Sequence, residues 1–124
     1  MPLEPYLTGL RRGYAVVSVN YRLSGEAVFP AAVQDLKAAI RWLRANGREY
    51  RLDPMRIAAC GGSSGGNMAA MVGLTANVRE FDDANLGDPG IPAHVQAIVD
   101  WFGPMDFLKM ALPRVRPASA VKKA

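Results

Sequence analysis

The sequence predicts an α/β fold of three layers, αβα, holding part of a doubly wound parallel sheet. Three observations lead there. Strand-like and helix-like patterns alternate along the chain, which implies parallel pairing through right-handed crossovers. The strand-like stretches at 14–21, 56–60 and 95–102 are apolar or small on both faces, as strands buried on both sides are. Half of the 124 residues are apolar and no repeat or linker divides them, so the chain reads as one domain or a piece of one.

Each element has its own signal. Gly13 fits the C-terminus of a short helix at about 3–12, turning into the first strand. Pro30 suits the first turn of a helix over 30–46, where a missing N–H costs nothing. Val33, Leu36, Ile40 and Leu43 recur there at helical spacing as the inward stripe, with Gln34, Lys37, Arg41 and Arg44 off it. Asn46-Gly47 ends that helix, and Asp53-Pro54 turns the chain into the strand at 56–60. A further helix is expected over 64–77, with Met68, Ala69, Val72 and Ala76 facing inward. Residues 79–93 carry loop signals, the third strand follows, and Gly103-Pro104 breaks it before a short helical turn at 105–112.

Composition narrows the chemistry. One cysteine, Cys60, rules out an internal disulfide framework and a zinc site built from cysteines. One histidine, His94, leaves little scope for histidine-rich metal sites. The net charge of +4 resides in the last sixteen residues, in Lys109, Arg114, Arg116, Lys122 and Lys123. Before Lys109, ten Lys and Arg stand against all eleven acids, so the body is near neutral and no nucleic-acid groove is expected. Residues 109–124 read as a basic, poorly ordered tail to a body at 1–108. No uncharged apolar run approaches the ~20 residues of a membrane span, and the first residues lack the pattern of a secretory signal.

Parallel α/β sheets gather ligand chemistry at the carboxyl ends of their strands. After the middle strand stands Cys60-Gly61-Gly62-Ser63-Ser64-Gly65-Gly66-Asn67. It holds Gly-x-Ser-x-Gly in two registers, centred on Ser63 and on Ser64. Either matches a nucleophile elbow, a tight strand-to-helix turn that presents a serine hydroxyl above the sheet. The glycines permit close backbone approach. The free N–H groups of the following helix favour a developing negative charge. No Gly-x-Gly-x-x-Gly and no Gly-Lys-Ser or Gly-Lys-Thr runs through these residues, so the dinucleotide and Walker readings fail on spacing. A glycine turn with serine helix caps and no chemistry is the plainer alternative.

Four stretches carry a resemblance: GYAVVSVNYRL at 13–23, FPAAVQDLKAAIRWL at 29–43, DPMRI at 53–57 running into the elbow, and VDWFGPMD at 99–106. Together they resemble the α/β-hydrolase superfamily, in the esterase/lipase branch of hormone-sensitive-lipase-like enzymes and bacterial feruloyl and acetyl-xylan esterases. That branch typically reads Arg-Ile, three residues, Gly-x-Ser-Ala-Gly-Gly, then His or Asn. Arg56-Ile57, Gly61, Ser63, Gly65, Gly66 and Asn67 fall on the pattern. The resemblance therefore implies Ser63 as nucleophile, with Ser64 in place of the usual alanine and its backbone N–H as an oxyanion donor. The Ser64 hydroxyl is expected to serve as a local helix cap. A small-molecule ester substrate is implied, and no cofactor or metal.

Other parts of the family pattern have no counterpart. The family's His-Gly-Gly oxyanion loop precedes the Gly-Tyr-Ala-Val-Val strand, and no His-Gly occurs here. The triad acid and base follow the serine in the order Ser, Asp or Glu, His. His94 precedes the third strand, so roughly 20 Å of strand should separate it from the elbow. Asp100 and Asp106 read as structural, Asp106 as a cap. Cys60 reads as buried packing, and Trp42 and Trp101 as core or interface bulk. Tyr21-Arg22 is expected to anchor a loop through a carboxylate such as Asp35 or Glu26. The chain is thus expected to be the central part of a larger serine esterase, inactive alone and prone to associate through exposed sheet edges. The alternative is a non-catalytic α/β module or truncated remnant.

Overall fold

The computed structural model describes residues 4–110. Helices α1 (Glu4–Leu10), α2 (Ala31–Asn46) and α3 (Ser64–Leu74) accompany strands β1 (Ala58–Gly62) and β2 (Ala97–Trp101). Short 3-10 turns lie at Gly47–Tyr50 and Arg79–Phe81. β1 and β2 pair in parallel, from Ala58 opposite Ala97 to Gly62 opposite Trp101. The crossover between them is α3 with its following loop, so this is the α/β architecture predicted from the alternation of elements. α1 ends near the expected position, with Gly13 at φ +83 in the turn that follows. Pro30 sits one residue before α2, as its N-cap.

The first strand-like stretch departs from expectation. Residues 14–21 form no strand and pair with none among the described residues. Strand character depends on a partner backbone, and this stretch is held by other means. Tyr14 N–H donates to Gly9 O of α1, and Arg22, just beyond, is held by the Asp35 side chain. Tyr14, Val16 and Val17 therefore remain exposed. The turn expected at 105–112 appears at 107–109 as a non-helical turn. Asp106 Oδ1 accepts the Lys109 N–H, as a cap does. Residues 111–112 and most of the basic tail lie outside the described residues.

The core sits between α2 and α3, on the side where α3 covers both strands. Val33, Ile40 and Val72 are buried there, with Leu36, Ile57, Met68, Met71, Phe81 and Val95 packed around them. The opposite face of the sheet presents Cys60, Val99 and Trp101. Tyr6 of α1 stacks on Trp101 at 5.4 Å, giving that face its helical layer. Val99 stays 42% exposed, and Cys60 is exposed rather than buried as expected. Cys60 alternates away from α3 along β1, so it projects onto the thinly covered face. Partial burial still pushes its thiol pKa up. Trp42 is also exposed, tilted against Tyr50.

The largest departure concerns charge. Lys37 and Arg41, expected off the inward stripe, are 0% and 4% exposed. Lys37 Nζ lies 2.7 Å from Asp82 Oδ1 and donates to the Thr75 and Val78 carbonyls. Arg41 donates to Asp82 Oδ1 at 2.8 Å and to the Ile91 carbonyl at 2.9 Å. Two cations one helical turn apart thus fasten the loop after α3 to α2. Burial pushes the Asp82 carboxyl pKa up, but hydrogen bonds from Lys37 and Arg41 outweigh it and hold it below the ordinary value.

Candidate active site

The site lies at the carboxyl end of β1. Gly62 ends the strand, Ser63 turns, and Ser64 opens α3. Ser63 has φ 56 and ψ −126, a conformation costly for any residue with a Cβ. Hydrogen bonds hold it on both sides. Its N–H donates to Trp101 O at 2.9 Å, joining the ends of both strands. Its carbonyl accepts from Gly66 N–H at 2.9 Å and Asn67 N–H at 3.2 Å, starting the helix. The Ser64 and Gly65 N–H groups precede these first helical bonds and so have no acceptor within the helix. Ser63 is exposed.

The glycines do not contribute equally. A Cβ on Gly61 would run into the backbone of Gly65, and one on Gly66 would run into Asp100 Oδ1. At Gly65 nothing lies within 4 Å of the position a Cβ would take. Close approach is therefore needed at Gly61 and Gly66, while Gly65 serves by keeping its own backbone accessible to Gly61. In the sequence the three glycines look equivalent.

Two polar residues behind the turn complete the junction. Asn67 is buried and donates to Pro104 O at 2.8 Å. Asp100 Oδ1 accepts the Gly103 N–H at 2.8 Å. A Cβ on Gly103 would collide with Asn67 N. The first turn of α3 and the bend after β2 are thus packed backbone to backbone. Asp100 has a structural role, as expected. Sequence reasoning placed Asn67 on the motif but did not find its hold on Pro104; its spacing one turn after Ser63, opposite a Gly-Pro break, was the available signal.

The Ser64 hydroxyl makes no cap. Instead it lies 3.2 Å from the Tyr21 hydroxyl. No side-chain cap bond is made at the start of α3, because Ser64 Oγ faces the incoming segment at 20–23. That segment is pinned to α2. Arg22 donates through Nη2 to Asp35 Oδ1 at 2.7 Å, through Nε to both carboxylate oxygens, and through its backbone N–H to Oδ2 at 2.8 Å. These hydrogen bonds raise the Arg22 pKa and hold the Asp35 carboxyl below its ordinary value. Of the two carboxylates expected to pair with Arg22, Asp35 does so, and Glu26 accepts the Leu23 N–H instead. An open groove of about 650 Å³ runs along Asn20, Tyr21, Arg22, Glu26 and Asp35.

His94 stands elsewhere. It precedes β2, whose first residue pairs with the first residue of β1, so it lies at the amino end of the sheet. It is exposed, and its carbonyl accepts from Arg44 at 2.7 Å. Five strand residues, roughly 16 Å of rise, separate that end from Ser63. Among the described residues no three His, Cys, Asp or Glu side chains cluster closely enough to hold a metal ion. No helix among them is long and apolar enough to cross a membrane.

Comparison with known proteins bears on the family of the chain. A family profile described as BD-FAE matches residues 4–123. The chain is similar to the probable carboxylic ester hydrolase LipM of Mycobacterium tuberculosis, 36% identical over 109 residues, covering 88% of this chain and 24% of LipM. Among solved structures it is similar to a bifunctional GH43-CE protein of Bacteroides eggerthii, with TM-score 0.76 and 43% identity over 80% of this chain and 15% of that one. It is also similar to a truncated carbohydrate esterase from gut microbiota, with TM-score 0.67 and 42% identity over 72% of this chain and 34% of that one. The chain spans about a quarter of the length of the curated relatives it matches.

Proposed function

Since the chain belongs to the BD-FAE family of α/β-hydrolase-like esterases, we propose that it is the elbow-bearing part of a serine carboxylic-ester hydrolase, with Ser63 as nucleophile. The observation that carries this reading is the conformation of Ser63, φ 56 and ψ −126 at a strand-to-helix junction. A fold adopts such strain at a functional residue when the surrounding packing over-determines it.

In this reading Ser63 Oγ attacks the acyl carbon of a small-molecule ester. The carbonyl π electrons move onto oxygen, where the Ser64 N–H donates a hydrogen bond and the start of α3 favours the charge. A histidine base takes the Oγ proton and returns it to the leaving alcohol, and water then releases the acyl group. His94 is at the wrong end of the sheet for that role. The base and its acid partner belong to the rest of a complete fold, as does a second oxyanion donor. The 124-residue polypeptide alone then behaves as a non-catalytic module, because among the described residues no histidine stands near Ser63 to meet the cost of ionising an alcohol.

The test places residues 4–110 in the matching stretch of a complete relative, such as LipM, and follows hydrolysis of p-nitrophenyl acetate. The graft is expected to be active, and Ser63→Ala to lower kcat by about 10⁴-fold or more. Equal activity of Ser63→Ala and parent would overturn the reading. The bare chain is expected to turn over no ester above its own Ser63→Ala variant. It is also expected to associate with rising concentration in sedimentation, through the open edge of β1 and the exposed Val99 and Phe102. A strictly monomeric, concentration-independent chain would contradict that last expectation.

A further inference from the structure

The start of α3 is braced unevenly. On its inner side Gly61, Asp100 and Gly103 press against Gly65, Gly66 and Asn67 of its first turn. On the side of Gly65 no atom beyond its chain neighbours and the backbone of its own helix lies within 4 Å of a Cβ position. Ser64, whose N–H is the proposed oxyanion donor, is exposed in that thinly packed part. A side-chain hydrogen bond reaches it from outside its own helix, the Tyr21 hydroxyl at 3.2 Å from Ser64 Oγ.

Tyr21 is itself firmly held. The next residue, Arg22, makes four hydrogen bonds to Asp35, three through its side chain and one through its backbone N–H. Asp35 lies in the first half of α2, which packs directly on α3. The contacts form a strut from α2 through Asp35, Arg22 and Tyr21 to Ser64, joining two helices that pack on each other. Because the usual residue at position 64 in the resembling pattern is alanine, this strut depends on the serine that this chain carries.

We propose that Tyr21 is a positioning residue that, through the Ser64 hydroxyl, fixes the direction of the Ser64 backbone N–H at the oxyanion site. The proposal rests on the serine-esterase reading. An oxyanion donor acts through its placement toward the charge that develops, so a freer N–H costs the transition state more than the bound ester. The effect therefore falls on kcat and leaves KM alone. A neutral hydrogen bond of this kind corresponds to about fivefold in rate.

The test uses the grafted enzyme described above, with kcat and KM measured on p-nitrophenyl acetate and the melting temperature recorded for each variant. Tyr21→Phe keeps the ring and removes the hydroxyl. It is expected to lower kcat about fivefold, with KM and melting temperature unchanged. Ser64→Ala is expected to match it, the double variant to lose no more than either alone, and Ser64→Thr, which keeps a hydroxyl, to retain most of the rate. Additive losses, a change confined to KM, or Tyr21→Phe equal to the parent would overturn the proposal. Loss of activity in Ser63→Ala with none in Tyr21→Phe would reject the strut while leaving the nucleophile in place. Full activity in Ser63→Ala would reject both.

Discussion

The elbow and the Lys37–Asp82–Arg41 cluster are both tightly specified, but by different kinds of physics. At the elbow, specification is steric and local. Gly61 meets Gly65 four residues away, and the strained Ser63 lies between them. In the cluster it is electrostatic and distant. Lys37 and Arg41 are bonded to acceptors 38 to 50 residues further along the chain. Local steric rules leave a mark in residue spacing. Long-range charge pairing leaves none, since a lysine on a helix is spelled the same way whether it faces water or a carboxylate.

The cluster should therefore be sensitive to loss of charge. Asp82→Asn strands two buried cations, and removing one partner of a buried pair costs about 3–5 kcal/mol. Denaturant unfolding of the parent and variant should show a loss of that order, with the 75–91 loop becoming susceptible to protease. A loss under about 0.5 kcal/mol, the scale of a surface pair, would mean that the cluster does not hold the loop.

The elbow should be sensitive to size instead, and unevenly so. Gly61→Ala forces a Cβ into the Gly65 backbone, an overpacking that costs about 1–3 kcal/mol. Gly65→Ala meets nothing and replaces a helical glycine, so stability is expected to hold or rise by about 0.5 kcal/mol. The same unfolding measurement checks both. Equal losses would show that the asymmetry between the two glycines is not real.

Acid should reach the cluster and the Arg22–Asp35 strut while sparing the steric contacts of the elbow. In the folded chain Asp82 and Asp35 both have pKa values below the ordinary carboxylate value of about 3.9. Each contributes stability that is fully present above that value and is lost as pH falls through the lower folded one. Stability measured from pH 7 down to pH 2 should stay level with respect to these groups to about pH 5 and then decline. Asp82→Asn, already destabilised, should show a shallower decline. An unchanged slope would remove Asp82 from the acid response.

Much of the fold was legible because it follows local rules. The helix at 30–46 was marked by Val33, Leu36 and Ile40 at helical spacing, and the strand-to-helix turn by glycines around Ser63. What could not be read there depended on neighbours. Residues 14–21 have a strand composition, but no described strand pairs with them. Cys60 alternates onto the face of the sheet that α1 covers thinly. The Ser64 hydroxyl suited a helix cap by position, yet it meets Tyr21, 43 residues earlier in the chain. Even the resemblance, which selected Ser63 over Ser64, did not reveal that contact.

The most direct test of the central claim is to find which serine reacts. The grafted enzyme would be treated with a fluorophosphonate, and the modified peptide mapped by mass spectrometry. The account predicts one adduct per chain, on Ser63 Oγ, formed at the rate at which activity is lost and absent from Ser63→Ala. An adduct on Ser64, or full inactivation with Ser63 unmodified, would contradict it.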